Sequence, residues 1–308
     1  MSNWYRAPVL SLVHHPAFRR IAAGTKAGRL LASRFVAGET LDDAMDAARE
    51  LNRGRISSML DHLGENVETT AQATQAANAY IRAIERIRDE PTLDAAISIK
   101  LTQLGLDFSE DLCLAHVNRI LEAADAVGAT VMIDMEAHGY VDATLEVFRK
   151  AHAEHPRVGL CLQAYLHRTA GDVFDLPAGV RIRLVKGAYL EPPDVAISGK
   201  DEVDEAFGRL FATLLGRGHP VDVATHDPRL IEGVKRTVES GGAAWSRVEF
   251  QMLYGIRRDL QNELARDGYA VRVYIPYGTE WYPYLTRRLA ERPANLWFFL
   301  SNLVRSGR

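Results

Sequence analysis

A (β/α)8 barrel is the fold this sequence predicts, and three observations predict it. Eight short β-rich runs alternate with helical stretches, several of the runs are near-continuously apolar, and most gaps between them leave room for a helix. Unbroken apolar runs suit parallel strands buried on both faces, and eight such repeats over about 250 residues are what closes a barrel. An open doubly wound sheet is the competing architecture. It is disfavoured because no run is followed by G-x-G-x-x-G and no G-x-x-x-x-G-K-[ST] occurs.

In chain order, apolar residues recur at helical spacing through Val9, Leu10 and Val13, then Phe18, Ile21 and Ala22, then Leu30, Leu31 and Phe35, which predicts two amphipathic helices. A further helix is expected over 40–53. Strands are expected over 56–63, 96–101, 130–136, 158–164, 180–185, 221–225, 248–253 and 271–275, with a helix around 69–89 between the first two and the alternation repeating to the end. No low-complexity linker interrupts the chain. The organisation read here is one domain over 1–308, with N-terminal helices over 1–55 packing on a barrel over 56–293 and a C-terminal helix over 294–308.

Composition excludes several functions. At 308 residues, 47% hydrophobic and 25% charged, the chain is ordinary globular protein. A net charge of -3 argues against a nucleic-acid partner, which would demand a basic excess to displace counterions. Cys113 and Cys161 are the only cysteines, with no CxxC and no His/Cys cluster at metal spacing, so neither a disulfide framework, a zinc site nor any other metal site is expected. No apolar run reaches the roughly 18 residues of a membrane span. The expected location is therefore cytoplasmic. Charge is uneven, however: Arg6, Arg19, Arg20, Lys26, Arg29 and Arg34 all precede Glu39, the first acidic residue. This basic amphipathic stretch would either pack on the body or make peripheral contact with the inner face of a membrane.

In a barrel the chemistry gathers at the C-terminal ends of the strands. Polar residues interrupt the apolar runs at those ends: Asp61-His62-Leu63-Gly64-Glu65, Ser98-Ile99-Lys100, Asp134-Met135-Glu136, Gln163, Arg183, Lys186-Gly187-Ala188-Tyr189, Thr225-His226-Asp227, Gln251-Met252-Leu253 and Tyr274. After the eighth strand comes Tyr284-Leu285-Thr286-Arg287-Arg288-Leu289-Ala290-Glu291. On a helix Tyr284, Arg287 and Arg288 stand at i, i+3 and i+4 and lean to one side, while Leu285 and Leu289 hold the opposite side. Two guanidinium forks side by side suit a small carboxylate or a phosphate. Such a helix can lie across the rim as a lid. From these residues alone, a phosphate-sugar aldolase or isomerase with Lys100 as Schiff base and Arg287 and Arg288 on the phosphate stays open, as does a non-catalytic carboxylate-binding barrel.

The phrases Ile97-Ser98-Ile99-Lys100-Leu101, Arg183-Leu184-Val185-Lys186-Gly187-Ala188-Tyr189, Glu249-Phe250-Gln251-Met252-Leu253-Tyr254-Gly255 and Tyr284-Leu285-x-x-Arg287-Arg288-x-x-Glu291 resemble the proline dehydrogenase family, in its compact monofunctional bacterial form. The resemblance implies a distorted (β/α)8 barrel whose eighth helix lies over the rim. It implies FAD bound without a Rossmann domain, oxidation of L-proline to Δ1-pyrroline-5-carboxylate by hydride transfer from C5 to FAD, and electrons passed to a quinone. Arg287 and Arg288 would clamp the proline carboxylate with Lys100 as a third positive partner. Tyr274, Tyr189 and Leu253 would border the ring, Asp134 would be the carboxylate below the site, and Arg183 would approach the flavin N5 edge. Met135, Gln163, Lys186, Gly187, Ala188, Thr225 and His226 would line the FAD. Glu65 would pair with Arg287 as an ion-pair gate. The chain departs from the longer bifunctional relatives in carrying Leu190 where they have tryptophan and in a segment from Tyr274 to Arg287 two residues shorter. Those relatives also carry an aldehyde dehydrogenase domain, so the second oxidation is expected to fall to a separate pyrroline-5-carboxylate dehydrogenase.

Overall fold

The computed structural model describes residues 33–291, with side chains as far as residue 286. The expected helices before residue 33, the basic N-terminal segment and the helix over 294–308 lie outside the described residues.

The strands β1 (Ser57–His62), β2 (Ala95–Ile99), β3 (Val131–Ile133), β4 (Gly159–Gln163), β5 (Ile182–Val185), β6 (Val221–Ala224), β7 (Val248–Leu253) and β8 (Val271–Tyr277) form a closed parallel barrel in sequence order. Pairing of β1 with β8, from Ser57 opposite Arg272 to His62 opposite Tyr277, shuts the cylinder. A helix follows each strand: α1 (Leu41–Arg53) precedes β1, and then come α2 (Thr70–Arg88), α3 (Glu110–Val127), α4 (Val141–Glu154), α5 (Thr169–Asp172), α6 (Lys200–Gly216), α7 (Pro228–Gly241), α8 (Arg258–Arg266) and α9 (Trp281–Glu291). The expected strands all exist, and two of them end earlier than expected by more than one residue. Lys100 lies just past β2, and Asp134, Met135 and Glu136 lie past β3: Asp134 N makes a last ladder bond to Ile99 O, after which the side chains of Lys100 and Glu136 and the Glu136 carbonyl turn to polar partners at the rim.

Local chemistry starts the helices where the alternation puts them. Thr40 and Thr69 cap α1 and α2 through reciprocal capping boxes with Asp43 and Gln72. Ser109 caps α3, and Asp227 caps α7 with Pro228 at its first turn.

Strand alternation then sorts side chains into two populations. Leu60, Ile97, Ile133, Leu160, Leu184, Val223, Phe250 and Val273 face out and pack under the helices in the main core. The inward set is different from the branched aliphatics that usually fill such barrels. Met59, Ala96 and Met132 make a small apolar layer against Tyr274, and charged or amide side chains occupy much of the remainder. The start of α9 is pinned near the rim: Trp281, Tyr282, Tyr284 and Leu285 pack with Leu63, just beyond β1, and with Phe35 and Val36. Tyr284 and Leu285 are both buried, so this part of the helix is covered on more than one side.

Candidate active site

Side chains from nonadjacent strands meet across the C-terminal half of the barrel. Asp134 is the hub. One carboxylate oxygen accepts from Arg183 Nη1 (2.6 Å) and Ser98 Oγ (2.9 Å), and the other accepts from the Tyr274 hydroxyl (2.8 Å). Lys100 Nζ donates to Asp61 Oδ1 (2.6 Å) and to Tyr274 Oη (3.2 Å), and lies 3.5 Å from Asp134 Oδ2. Arg183 Nε donates to Gln251 Oε1 (2.8 Å), its Nη2 touches Met59 Sδ, and its guanidinium sits 5.3 Å from the Tyr274 ring centroid. Strands β1, β2, β3, β5, β7 and β8 thus converge on one cluster.

The electrostatics follow from matching each buried cation with a carboxylate. Burial opposes the Lys100 ammonium, but Asp61, Tyr274 and Asp134 outweigh it and hold its pKa well above the ordinary lysine value. Burial likewise opposes the Asp134 carboxylate, and Arg183, Lys100 and the Tyr274 and Ser98 hydroxyls overcome it and keep the pKa low. Asp61 goes the other way: burial raises it against the pull of Lys100. Glu136, just past Asp134, accepts from Thr102 N (3.0 Å) and Thr102 Oγ1 (2.6 Å). Burial and the nearby charge of Glu65 push it up to about 7 despite those bonds.

Beside this cluster lie the residues expected to hold FAD. Gln163, at the end of β4, donates through Nε2 to Met135 O (3.0 Å) and Glu136 O (3.1 Å), and its Oε1 is buried with no donor among the described residues. A buried carbonyl left without a donor marks a place for a ligand N–H, and a flavin ring carries one. Gln163 therefore fits the cofactor expected here. Gly187 has φ +132°, and a Cβ there would run into the Tyr165 ring. Its lack of a Cβ allows that close approach of Tyr165. Tyr165 Oη in turn donates to Tyr189 O (3.4 Å), tying the two loops together. His226 Nε2 accepts from Leu253 N (2.9 Å), so a neutral ring carries its proton on Nδ1. Thr225 Oγ1 accepts from Asp227 N (3.2 Å). Lys186 is ion-paired with Asp204 and, at 3.4 Å, with Asp227, so its ammonium is already committed to carboxylates beside the start of α7. Met135 is buried, and Ala188 and Leu190 are exposed.

Of the expected catalytic and substrate residues, Asp134, Arg183, Lys100 and Tyr274 are brought into direct contact, while Tyr189, Leu253 and Glu65 stand half-buried at the strand ends. The side chains of Arg287 and Arg288 lie outside the described residues, although both positions fall within α9. Among the polar members of the cluster, Asp61 and Gln251, like Ser98, drew no role from the sequence. The signal for all three was a polar side chain at an inward strand position.

A profile of the family described as "Proline dehydrogenase" matches residues 44–300. The chain belongs to the proline dehydrogenase family. It is 43% identical over 309 residues to a protein of Deinococcus radiodurans named proline dehydrogenase, with 98% of each chain covered. It is 41% identical over 285 residues to proline dehydrogenase 1 of Bacillus subtilis strain 168, covering 92% of this chain and 93% of that one. The family fold is also that of the proline utilization A protein (PutA) of Bdellovibrio bacteriovorus, solved after inactivation by N-propargylglycine, at a TM-score of 0.80 and 23% identity. That match covers 85% of this chain and 32% of the larger protein, so the barrel corresponds to one part of that longer chain.

Proposed function

We propose that this enzyme oxidises L-proline to Δ1-pyrroline-5-carboxylate by hydride transfer from C5 to FAD, and that the electrons pass on to a quinone. The observation that carries the reading is the charge-balanced cluster of Lys100, Asp61, Asp134, Arg183 and Tyr274 at the barrel mouth, in a chain of this family. FAD, when bound, supplies the hydride acceptor. Met135, Gln163, Arg183, Lys186, Gly187, Ala188, Thr225 and His226 are the residues that would hold it, with no separate nucleotide-binding domain.

The chain's own residues divide the remaining work. Lys100 keeps its proton and offers a fixed positive charge to a carboxylate, to which Arg287 and Arg288 on α9 add their forks. Tyr274 is held by Lys100 and Asp134, so its ring presents a rigid wall to a five-membered ring, with Tyr189 and Leu253 as the neighbouring walls. Asp134 and Arg183 are the catalytic pair. The carboxylate holds the guanidinium in place, and the guanidinium can stabilise negative charge that builds on the acceptor side. Positioning of this kind supplies most of the rate enhancement, because the bond-making chemistry belongs to the cofactor. Glu65 closes the first strand and would pair with Arg287 as a gate. Because Lys100 keeps its own proton, the proton of the substrate amine can go to Asp134 or to water.

The same geometry argues against an aldolase. A Schiff-base lysine needs a lowered pKa, whereas Lys100 is ion-paired and raised. Within the described residues no helix is long and apolar enough to cross a membrane. Contact with a quinone pool would then run through a peripheral surface, and a separate pyrroline-5-carboxylate dehydrogenase would take the product.

The deciding experiment is spectroscopic. The purified protein should be yellow and should bleach anaerobically when L-proline is added. Colourless protein, or a flavin that proline leaves oxidised, would refute the reading.

A further inference from the structure

Below the active cluster the barrel interior continues as an ordered chain of polar groups. Glu249 and Gln251 stand two apart on β7, so both point inward. Gln251 Oε1 accepts from Arg183 Nε (2.8 Å), and Gln251 Nε2 donates to Glu249 Oε1 (2.8 Å). Glu249 is itself clamped by Arg272, whose Nε (2.8 Å) and Nη2 (3.1 Å) donate to its two oxygens. Arg272 Nη1 is anchored in turn on Ser58 O (2.8 Å) and Asp94 Oδ1 (3.1 Å) at the far end of the barrel. Arg183, Gln251 and Glu249 are 4%, 4% and 9% exposed, so water cannot substitute for a lost partner without cost.

The polarity of this chain admits one arrangement. A cation on one side of Gln251 demands its oxygen and a carboxylate on the other demands an N–H from its amide nitrogen, so the amide cannot flip. Asp134 and Ser98 hold Arg183 at Nη1, and among the described residues Nη2 meets only the Met59 sulfur, a weak acceptor that fixes the guanidinium plane poorly. The bond from Nε to Gln251 fixes that plane. A carboxylate at 251 would not serve. It would stand beside Glu249 and Asp222, which is opposite Glu249 in the register and whose carboxyl burial already pushes up to about 6.

We propose that Gln251, oriented by Glu249 and Arg272, is a positioning residue that sets the plane of the Arg183 guanidinium and with it the direction in which that charge acts on the flavin. The inference rests on the reading that Arg183 serves the flavin.

The test uses the holoenzyme and a flavin-free sample of each variant. Gln251→Met keeps the volume and removes both hydrogen bonds. It should lower the anaerobic rate of flavin reduction by L-proline about 10- to 100-fold, as small misplacements of a catalytic group do. The KM for proline should stay within about threefold, since no binding group has moved, and the flavin midpoint potential should become more negative. In flavin-free protein labelled with 15N-arginine, the Nε–H of Arg183 should exchange faster with water than in wild type. Gln251→Glu is the second variant. Its carboxyl can accept from Arg183 at any pH but can donate to Glu249 only while protonated. The groups facing it are Arg183 on β5, Asp222 on β6, Glu249 on β7, and Arg272 and Tyr274 on β8. Its reduction rate relative to wild type should therefore fall as pH rises.

If Arg183→Met impairs flavin reduction while Gln251→Met matches wild type in rate, potential and Nε–H exchange, and the Gln251→Glu profile parallels wild type, the proposal is overturned and Gln251 only fills space. If Arg183→Met itself leaves reduction and potential unchanged, the reading of Arg183 falls first, and the proposal with it. Failure of Gln251→Met to fold leaves the decision to the pH profile of Gln251→Glu.

Discussion

Replacing Asp134 with Asn tests whether the site is held by charge balance. Around the hub, Asp61 and Asp134 face Lys100 and Arg183, so the substitution leaves one buried positive charge uncompensated. Removing one partner of a buried ion pair costs about 3–5 kcal/mol. Asparagine recovers part of this, because its oxygen can still accept from Arg183. Its amide nitrogen, however, would face Lys100, which has only donors to offer. A net loss of about 2–4 kcal/mol is expected. At about 2–4 °C per kcal/mol for a chain of this order of size, Tm should fall by roughly 5–15 °C.

The pH dependence makes this diagnostic. The folded Asp134 pKa lies below its ordinary value, so its stabilisation is fully present above the unfolded carboxyl pKa near 3.9 and is lost as pH falls through the lower folded value. Urea unfolding of wild type and Asp134→Asn, at matched flavin content, should show the full gap at about pH 7 and a shrinking gap from about pH 4 downward. A gap that stays constant across that range, or an Asn variant as stable as wild type at neutral pH, would refute the ion-pair account.

Glu136 gives the opposite sign. Its folded pKa is pushed up to about 7, so wild type should lose stability relative to Glu136→Gln as pH rises from about 5 to about 8, in the same unfolding assay. Gly187→Ala forces a side chain into positive φ and against the Tyr165 ring, and should cost about 2–4 kcal/mol, read as a lowered Tm with reduced flavin content. Arg287→Met or Arg288→Met should lose about 2–5 kcal/mol in kcat/KM, mainly through KM, if each removes a charge-assisted bond to the substrate carboxylate. Unchanged KM in both would remove the clamp. A five-membered ring carboxylate with oxygen in place of nitrogen should compete with proline without bleaching the flavin, and its methyl ester should compete much more weakly. Equal inhibition by acid and ester would count against the arginine pair and Lys100 together.

What the sequence alone determined was periodic. Parallel strands buried on both faces and amphipathic helices between them write their spacing directly into the chain, so eight strands, their order and their approximate ends could be read without coordinates. The inward polar residues at strand ends, Lys100, Asp134, Arg183 and Tyr274 among them, broke that periodicity and stood out. The register in which β1 meets β8 and the partnership of Lys100 with Asp61 depend on residues far apart in the chain, and no local pattern encodes them. The same holds for the run from Arg272 through Glu249 and Gln251 to Arg183, which joins three strands across the interior. Gly187 shows the limit clearly: nothing near it in the sequence points to Tyr165, whose ring the tertiary fold brings to the place a Cβ would occupy. A single chain specifies which side chains can point inward, but which of them touch is decided only when the cylinder closes and buried charges must find partners or go unpaired.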